Sequence, residues 1–428
     1  MELSQVDFTI RKLGPARFPS PMSSGHFVEE GARILFHSHP EEVLKSLGQS
    51  QQPPCMELAG PRRLLFFDPS TVRCGIVTCG GLCPGINDVI RAIVLCLHYH
   101  YGVSPVYGFR YGYEGLIPRY GHSVMQLTPE AVDRIHQLGG TMLGSSRGLQ
   151  DVSQMVDTLE RMGIQVLFTI GGDGTLRGAH ALVEEISKRK LNIAVVGVPK
   201  TIDNDISFID RSFGFETAVA EARRVTQSAH TEAVSARNGV GLVKLMGRES
   251  GFIAAYTVLA DNDVNFCLVP EVPFGLERFL EALEARLLRR GHAVVVVAEG
   301  AGQDLLGSAL ERDASGNPKL GDIGVFLRDK IRAYFRSRSI RLDLKYIDPS
   351  YTIRSGPANA QDAAFCLLLG HHAVHAALSG RTDMVVGYWK GHFTHVPISM
   401  AVSARKRIDP QGHLWESVLA VTGQPREL

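Results

Sequence analysis

The chain has 428 residues, 44% of them hydrophobic, and its 45 basic and 44 acidic side chains leave a net charge of +1. This length is enough for two or three hydrophobic cores. The balanced charge gives no overall field that would attract nucleic acid or a membrane surface, so we expect neither as a partner. Seven cysteines are too few for a disulfide framework and form no paired zinc motif.

The compartment is predicted from the same features. The start of the chain lacks a signal-peptide pattern, and no apolar run is long enough to span a membrane. Scattered cysteines without a framework are typical of reduced thiols in the cytosol. We therefore expect a cytoplasmic protein.

Residues 1–70 contain scattered proline and glycine with only short apolar pieces, and we interpret them as an N-terminal extension packed on the main body. Beyond them, apolar runs predict strands at residues 74–78, 105–109, 166–170, 193–198, 240–246, 266–269, 293–298, 340–347 and 384–387. Helical periodicity predicts helices at residues 87–98, 176–188, 216–230, 276–290 and 359–378. This alternation predicts parallel sheets covered by helices, in at least two α/β units.

Three loops are rich in glycine, and two of them, at residues 80–87 and 171–175, directly follow predicted strands. Residues 80–87 offer backbone amides at a helix N-terminus, where phosphate binds, although a tight turn explains them equally well. In the loop 144–148, Arg147 suits bidentate phosphate contact or is an ordinary surface arginine. Residues 171–175 combine bare amides with Asp173, which could bind a cation or cap the next helix.

The loop 199–205 discriminates between these alternatives, because it places Lys200, Asp203 and Asp205 directly after a buried strand. Such charges are costly unless a ligand, a metal or a reaction uses them. One aspartate could cap a helix or bond its own turn, but this does not explain both. In open α/β sheets ligands bind at the carboxyl ends of the strands, so the loops together predict a phosphoryl-transfer site.

Three more strands end in charged loops, which contain Arg248, Glu299 and Arg354. Taken singly, each side chain could be a solvated or paired loop charge. Five polar loops at strand ends favour a functional edge instead. His371 and His375 lie one helical turn apart, as metal ligands can, but no nearby carboxylate accompanies them, and a structural helix face is favoured.

Six motifs resemble those of the 6-phosphofructokinases in content and order: GGLCPGIN at 80–87, GGDG at 171–174, PKTIDND at 199–205, MGR at 246–248, EG at 299–300 and YTIR at 351–354. Residues 59–62 and 76–85 resemble the plant-type long-chain, ATP-dependent subgroup. The resemblance covers about residues 60–400. It implies an α/β phosphofructokinase fold, with two Rossmann-like parallel-sheet layers, helices on both faces and an N-terminal extension.

The resemblance also implies a domain plan. After the extension 1–70, residues 71–214 would form a nucleotide-binding α/β domain completed by about 355–405. Residues 215–354 would form a sugar-phosphate-binding α/β domain completed by about 406–428. The implied activity is transfer of the γ-phosphoryl group of ATP to the 1-hydroxyl of fructose 6-phosphate in glycolysis, with Mg²⁺, by an allosteric enzyme.

Roles for individual residues follow from the same resemblance. Asp203 would be the general base, while Lys200 would stabilise the moving phosphoryl group and Arg248 would steady the sugar phosphate near the reacting end. Asp173 would hold Mg²⁺. The nucleotide-binding positions would be Gly81, Arg147, Gly172, Asp173, Gly174 and Thr175. The sugar-phosphate positions would be Thr201, Asp205, Met246, Gly247, Glu299, Tyr351 and Arg354, with Lys345 lent across a subunit boundary in a homo-oligomer, a dimer or tetramer.

The phosphoryl donor and the enzyme class each have alternatives. In the family, an Asp at the position of Gly174 accompanies use of pyrophosphate, and so does a Lys at the position of Lys200. We expect ATP, because glycine leaves room for the α-phosphate, with a pyrophosphate-dependent enzyme as the alternative. NAD and lipid kinases share the GGDGT motif but lack the MGR and YxxR loops. A non-catalytic regulatory paralogue would have no need of Asp203 or Asp173.

Overall fold

The computed structural model describes residues 6–23, 26–48, 52–148, 150–307 and 319–428. The chain forms two compact units. Unit 1 comprises Met1–Thr201, Ile206–Gly214 and Gly356–Ala404, and unit 2 comprises Ile202–Asp205, Phe215–Ser355 and Arg405–Leu428. All seven cysteines are free thiols. Within the described ranges, every helix is too short or too polar to cross a lipid bilayer.

The strands are β1 (Arg11–Lys12), β2 (Phe18–Pro19), β3 (Arg33–Leu35), β4 (Cys55–Leu58), β5 (Leu64–Leu65), β6 (Cys74–Thr78), β7 (Val106–Phe109), β8 (Val124–Leu127), β9 (Val166–Gly171), β10 (Ala194–Pro199), β11 (Gly239–Leu245), β12 (Phe266–Leu268), β13 (His292–Ala298), β14 (Asp343–Ile347), β15 (Arg381–Thr382), β16 (Met384–Trp389) and β17 (His392–Pro397). The α-helices are α1 (Pro40–Gly48), α2 (Ile86–Tyr101), α3 (Val152–Arg161), α4 (Asp173–Lys188), α5 (Phe215–Ser235), α6 (Phe252–Ala260), α7 (Leu276–Arg290), α8 (Ile323–Ser337), α9 (Ser350–Ser355), α10 (Ala360–Leu378), α11 (Ile398–Ala401) and α12 (His413–Thr422).

The main sheet of unit 1 has nine strands in the order β3-β4-β17-β16-β10-β9-β6-β7-β8. Its five central strands, from β16 to β7, pair in parallel. Antiparallel strands cover both edges, namely β8 on one side and β17, β4 and β3 on the other. The predicted parallel-sheet α/β fold is therefore confirmed, and its antiparallel edges are an addition that the sequence patterns did not predict.

Unit 2 is built on a four-stranded parallel sheet in the order β12-β13-β11-β14. Successive side chains of a strand point to opposite faces. On β13, Val294 and Val296 therefore join the core that includes α5, α6 and α12, whereas Val295 and Val297 join the core that includes α7 and α8. Because both faces are covered by helices, the strand is apolar at every position and not alternating.

A buried ionic cluster attaches the N-terminal segment to the sheet of unit 1. Glu57 on β4 accepts a hydrogen bond from Arg381 on β15 and is hydrogen-bonded to the imidazole of His395 on β17, 2.9 Å from Nδ1. Arg62 lies 3.4 Å from the same carboxylate, and Glu30 pairs with Arg381 at 3.1 Å. Burial alone would raise the pKa of Glu57, but His395 and Arg381 outweigh it and hold that pKa well below its usual range.

Replacing Arg381 by methionine should destabilise the protein strongly, because it leaves part of a buried ion network uncompensated. Breaking a buried pair from one side costs about 3–5 kcal/mol. The matched control is Arg11→Met, whose pair with Glu184 is half exposed and should contribute at most about 1 kcal/mol. Urea denaturation of both variants measures the difference, and equal midpoints would contradict a stabilising role for the cluster.

Candidate active site

The predicted site residues fall into two groups, one in each unit. Unit 1 holds Gly81, Arg147, Gly172, Asp173, Gly174, Thr175, Lys200 and Thr201. Unit 2 holds Asp203, Asp205, Met246, Gly247, Arg248, Glu299, Lys345, Tyr351 and Arg354. The loop after β10 contributes to both groups, because its first residues belong to unit 1 and Ile202–Asp205 belong to unit 2.

Strand pairing sets where three loops of unit 1 begin. The parallel ladder continues one residue past the strands: the N–H of Lys200 donates to the carbonyl of Gly171, and the N–H of Cys79 donates to the carbonyl of Ile170, both at 3.0 Å. The loops that follow β6, β9 and β10 therefore leave the sheet at the same level and on the same edge. This is the edge at which open α/β sheets bind ligands.

The first of these loops meets two basic side chains. Lys200, which is buried, donates from Nζ to the carbonyl of Gly81 at 2.6 Å. A Cβ at Gly81 would lie 3.3 Å from the guanidinium of Arg147, and a Cβ at Gly80 would lie 3.3 Å from Lys200 Nζ. The Arg147 loop is fixed here, because Ser145 donates to the carbonyl of Gly80 at 2.6 Å. Two cations and a run of backbone amides thus form a surface that is suited to binding an anion.

The second loop starts helix α4 with Asp173 as its first residue and Gly172 before it. The N-terminus of a helix of this length presents free N–H groups and a partial positive charge. The Asp173 carboxylate is partly exposed and accepts from Arg177 one turn later, at 3.0 Å. A partly exposed hard oxygen ligand at the start of this helix suits a divalent cation such as Mg²⁺.

The three glycines of this second loop differ in how much space surrounds them. A Cβ on Gly171 would come within 2.1 Å of the Thr175 hydroxyl, so a side chain there is excluded. A Cβ on Gly172 would meet the carbonyl of Lys200 at 3.1 Å. A Cβ on Gly174 would meet nothing within 4 Å. The protein itself therefore tolerates a side chain at Gly174, and the space beside it is open to a ligand.

In unit 2, the candidate base Asp203 lies in a dense group of charges. The residue is intermediate in exposure, but its Oδ1 atom is buried. The backbone N–H of Arg248 donates to its carboxyl group. Asp205, two residues later, is buried and ion-paired with Arg405. The residue between them, Asn204, takes a left-handed conformation with φ 55°, which lets the loop turn there.

The surroundings of Asp203 raise its pKa well above the ordinary value. Burial is the largest cause, followed by the negative charges of Asp205 and Glu299, while the Arg248 hydrogen bond and the charge of Arg405 act in the opposite direction. A carboxylate with a raised pKa is a better proton acceptor near neutral pH than an ordinary aspartate. Asp203 therefore has the electrostatic setting of a general base.

Glu299 and the loop after β11 are held together by backbone contacts. The N–H of Glu299 donates to the carbonyl of Leu245 at 2.9 Å, and Gly300 donates to Gly247 at 3.0 Å. Gly247 has φ 127°, and a Cβ there would lie 2.6 Å from the carbonyl of Ser250, so only glycine fits. Burial raises the pKa of Glu299, partly offset by Arg248, Lys244 and Arg354.

The last predicted loop forms the short helix α9, which carries Tyr351 and Arg354. Tyr351 is 74% exposed, and the Arg354 guanidinium lies 4.7 Å from the centre of its ring. Arg354 also contributes to the electrostatic environment of Glu299. Lys345 is exposed on the edge strand β14 and pairs with Asp343 at 3.2 Å.

Sequence reasoning missed Arg405. This residue pairs with Asp205, lies 3.4 Å from Glu249 and lowers the pKa of Asp203 in opposition to burial. It therefore balances the negative charge around the candidate base. The one available signal was the basic run at residues 405–407, which follows the last predicted strand.

Comparison with known proteins shows which family the chain resembles. The sequence profile described as Phosphofructokinase matches residues 73–377. A protein of Borreliella burgdorferi named ATP-dependent 6-phosphofructokinase is 49% identical, over 98% of this chain and 97% of its own length. A protein of the same name from Amycolatopsis methanolica is 49% identical, over 100% and 97%.

A similar fold is found among solved structures. The crystal structure named pyrophosphate-dependent phosphofructokinase from Marinobacter aquaeolei has a TM-score of 0.68 at 20% identity, covering 83% of this chain and 92% of that one. At this identity the likeness supports the fold alone. With the profile match and the two relatives, the predicted family and the predicted phosphotransferase class are confirmed: the chain belongs to the phosphofructokinase family.

Proposed function

We propose that this chain transfers the γ-phosphoryl group of ATP to the 1-hydroxyl of fructose 6-phosphate, giving fructose 1,6-bisphosphate and ADP in glycolysis. The observation that carries the proposal is the Asp203 carboxyl, whose raised pKa suits proton removal from a sugar hydroxyl. The names of the relatives, ATP-dependent 6-phosphofructokinase, support both the substrate and the donor.

Asp203 is the general base in this proposal. It accepts the proton of the 1-hydroxyl as the oxygen attacks phosphorus, and the Arg248 N–H keeps the carboxyl oriented. Asp205, paired with Arg405, and Thr201 line the reacting end of the sugar. Arg248 itself steadies the sugar phosphate there. Phosphoryl transfer requires mainly positioning and charge stabilisation, which these groups supply.

Unit 1 supplies the nucleotide side. Lys200 and Arg147 stabilise charge on the transferred phosphoryl group, and the backbone amides at Gly81, Gly172, Gly174 and Thr175 bind the phosphates. Asp173 fits a Mg²⁺ ion because it offers partly exposed carboxylate oxygens at the start of α4. When bound, this ion neutralises charge on the phosphates.

The sugar side belongs to unit 2. Met246, Gly247 and Glu299 contact the sugar, and Tyr351 and Arg354 bind its 6-phosphate. Arg354 supplies charge and Tyr351 a hydroxyl donor, and their stacking at 4.7 Å orients both groups. Glu299 accepts hydrogen bonds from sugar hydroxyls.

Assembly and compartment complete the proposal. Lys345, exposed on an edge strand, is placed to serve a neighbouring subunit, which supports a homo-oligomer, a dimer or tetramer under allosteric control. Seven free thiols suit the reducing cytoplasm.

The choice of ATP over pyrophosphate depends on Gly174. The open space at this position accommodates the α-phosphate of ATP, which pyrophosphate lacks. Lys200 is compatible with both donors, because it has only to meet oxygens of the transferred group. The choice of donor therefore depends on Gly174, and the open space beside it favours ATP.

Asp203→Asn should lower kcat by about 10²–10⁴-fold with a much smaller change in either KM, because the carboxylate acts as a base in the transition state. Steady-state kinetics at saturating ATP and fructose 6-phosphate measures it. The control is Asp263→Asn, an exposed aspartate of the same unit, which should leave kcat unchanged. A near-wild-type kcat for Asp203→Asn would refute its role as the base.

Gly174→Asp should depress activity with ATP, because its carboxylate enters the space left for the α-phosphate. Two unit charges 4 Å apart repel by about 4 kcal/mol at an effective dielectric constant of 20, or roughly a thousandfold in kcat/KM. An acidic residue in the first turn of α4 is favourable to the helix, so folding should be preserved.

Gly174→Ala is the matched control, since it adds a methyl group without a charge. Its loss of kcat/KM for ATP should be much smaller than that of Gly174→Asp. Full ATP activity in Gly174→Asp, with normal melting temperature, would show that the α-phosphate does not bind beside this residue.

A further inference from the structure

Lys244 is a largely buried cation on β11 with two carboxylate partners. Its side chain is 12% exposed, and Nζ lies 2.9 Å from Asp348 Oδ2 and 3.1 Å from Asp322 Oδ2. Burial alone would lower the pKa of Lys244, but the two carboxylates outweigh it and raise that pKa. The residue therefore stays charged and held in one place.

Each of the two carboxylates caps the start of a helix. Asp322 precedes α8 and accepts from the N–H of Val325 at 3.1 Å. Asp348 precedes α9 and accepts from the N–H of Ser350 at 3.1 Å and from its hydroxyl. Lys244 thus connects a rigid central strand of the sheet to the first turns of two helices.

Of these two helices, α9 is the shorter, and its position depends more on such a connection. It has six residues, and so short a helix has little stability of its own. Its buried anchor is Ile353, which joins the core around α5, while Tyr351 is largely exposed. The Lys244–Asp348 bridge fixes the other end of the helix, where it leaves β14.

Lys244 also interacts electrostatically with a proposed sugar-binding residue, Glu299. It precedes Met246 by two residues on the chain, and its charge lowers the pKa of Glu299 in opposition to burial, as the charge of Arg354 does. Lys244, Glu299 and Arg354 therefore form one charge system, with Asp348 linking the lysine to the helix that carries Arg354.

We propose that Lys244 is a positioning residue for recognition of the 6-phosphate. Through Asp348 it holds α9 against the sheet, and thereby fixes Tyr351 and Arg354 in the orientation that receives a sugar phosphate. The inference rests on the proposed function and adds to it a residue outside the motifs. Lys244 acts through Asp348 and not by touching the sugar.

Lys244→Met in the full chain tests this. The apparent KM for fructose 6-phosphate should rise on the order of tenfold, because binding and catalysis are sensitive to small misplacements of such groups. The KM for ATP should stay within about twofold. Asp348→Asn should reproduce the effect, and the double variant should be no worse than the more affected single variant, since both remove one bridge.

Three control variants distinguish a loss of positioning of the phosphate-binding residues from a general loss of stability. Asp322→Ala removes the side-chain cap of α8 and should lower the melting temperature while leaving the KM for fructose 6-phosphate unchanged. Lys330→Met, an exposed lysine on α8, should change neither quantity. Arg354→Ala sets the scale for complete loss of the phosphate contact, roughly ten- to a hundredfold in KM.

A second readout is the rise in melting temperature on adding fructose 6-phosphate without nucleotide, which should shrink in Lys244→Met and in Asp348→Asn. If Lys244→Met does not fold, Asp348→Asn decides alone. Additive effects in the double variant, an unchanged KM in Asp348→Asn or a shifted KM for ATP would overturn the inference. Wild-type protein that neither turns over nor is stabilised by fructose 6-phosphate would refute the proposed function itself, and the inference with it.

Discussion

Parallel strands that pair in register end at one edge of their sheet, so the loops that follow them start from fixed neighbouring points. In unit 1, Lys200 and Cys79 extend the ladders of β10 and β6 one residue beyond the strands. This places Lys200 on the carbonyl of Gly81, although the two are 119 residues apart in the sequence. In unit 2, the N–H of Glu299 continues the pairing of β13 with β11 in the same way. Lys200 and Glu299 therefore depend on such ladders for their positions.

Charge balance is the second requirement. The Asp203 carboxyl lies near the negative charges of Asp205 and Glu299, and its burial together with these two charges raises the pKa of Asp203. Such a concentration of like charges costs stability. Arg405 and the Arg248 N–H offset part of that cost without removing the basicity of Asp203. Proteins retain strained electrostatics of this kind at functional sites, where catalysis requires them.

Local sequence patterns predicted the central parallel strands and the polar loops at their ends, because apolar runs and glycine clusters are local signals. They placed the start of α4 at residue 176, whereas the helix begins at Asp173, because the glycine-rich sequence at residues 171–174 obscures the first helical turn. The helices α1, α3, α6, α8, α9, α11 and α12 were not predicted. Of these, α6 is apolar on nearly all sides because it is buried, so it has no helical stripe to detect.

The residues Arg405 and Lys244 escaped prediction for another reason. Their partners are distant in the sequence: Arg405 pairs with Asp205, and Lys244 with Asp322 and Asp348. No local periodicity or motif can reveal a contact between residues so far apart in the sequence. The resemblance to a family supplied candidate roles for motif residues, whereas residues that support the motifs became visible only through the contacts of the folded chain.

The most direct test of the central claim is steady-state turnover of fructose 6-phosphate by the purified wild-type chain, with ATP and pyrophosphate compared as donors under the same Mg²⁺ concentration. Formation of fructose 1,6-bisphosphate with a higher kcat/KM for ATP than for pyrophosphate is the predicted result. A higher kcat/KM for pyrophosphate would contradict the argument from Gly174, and no product with either donor would contradict the assignment of the reaction.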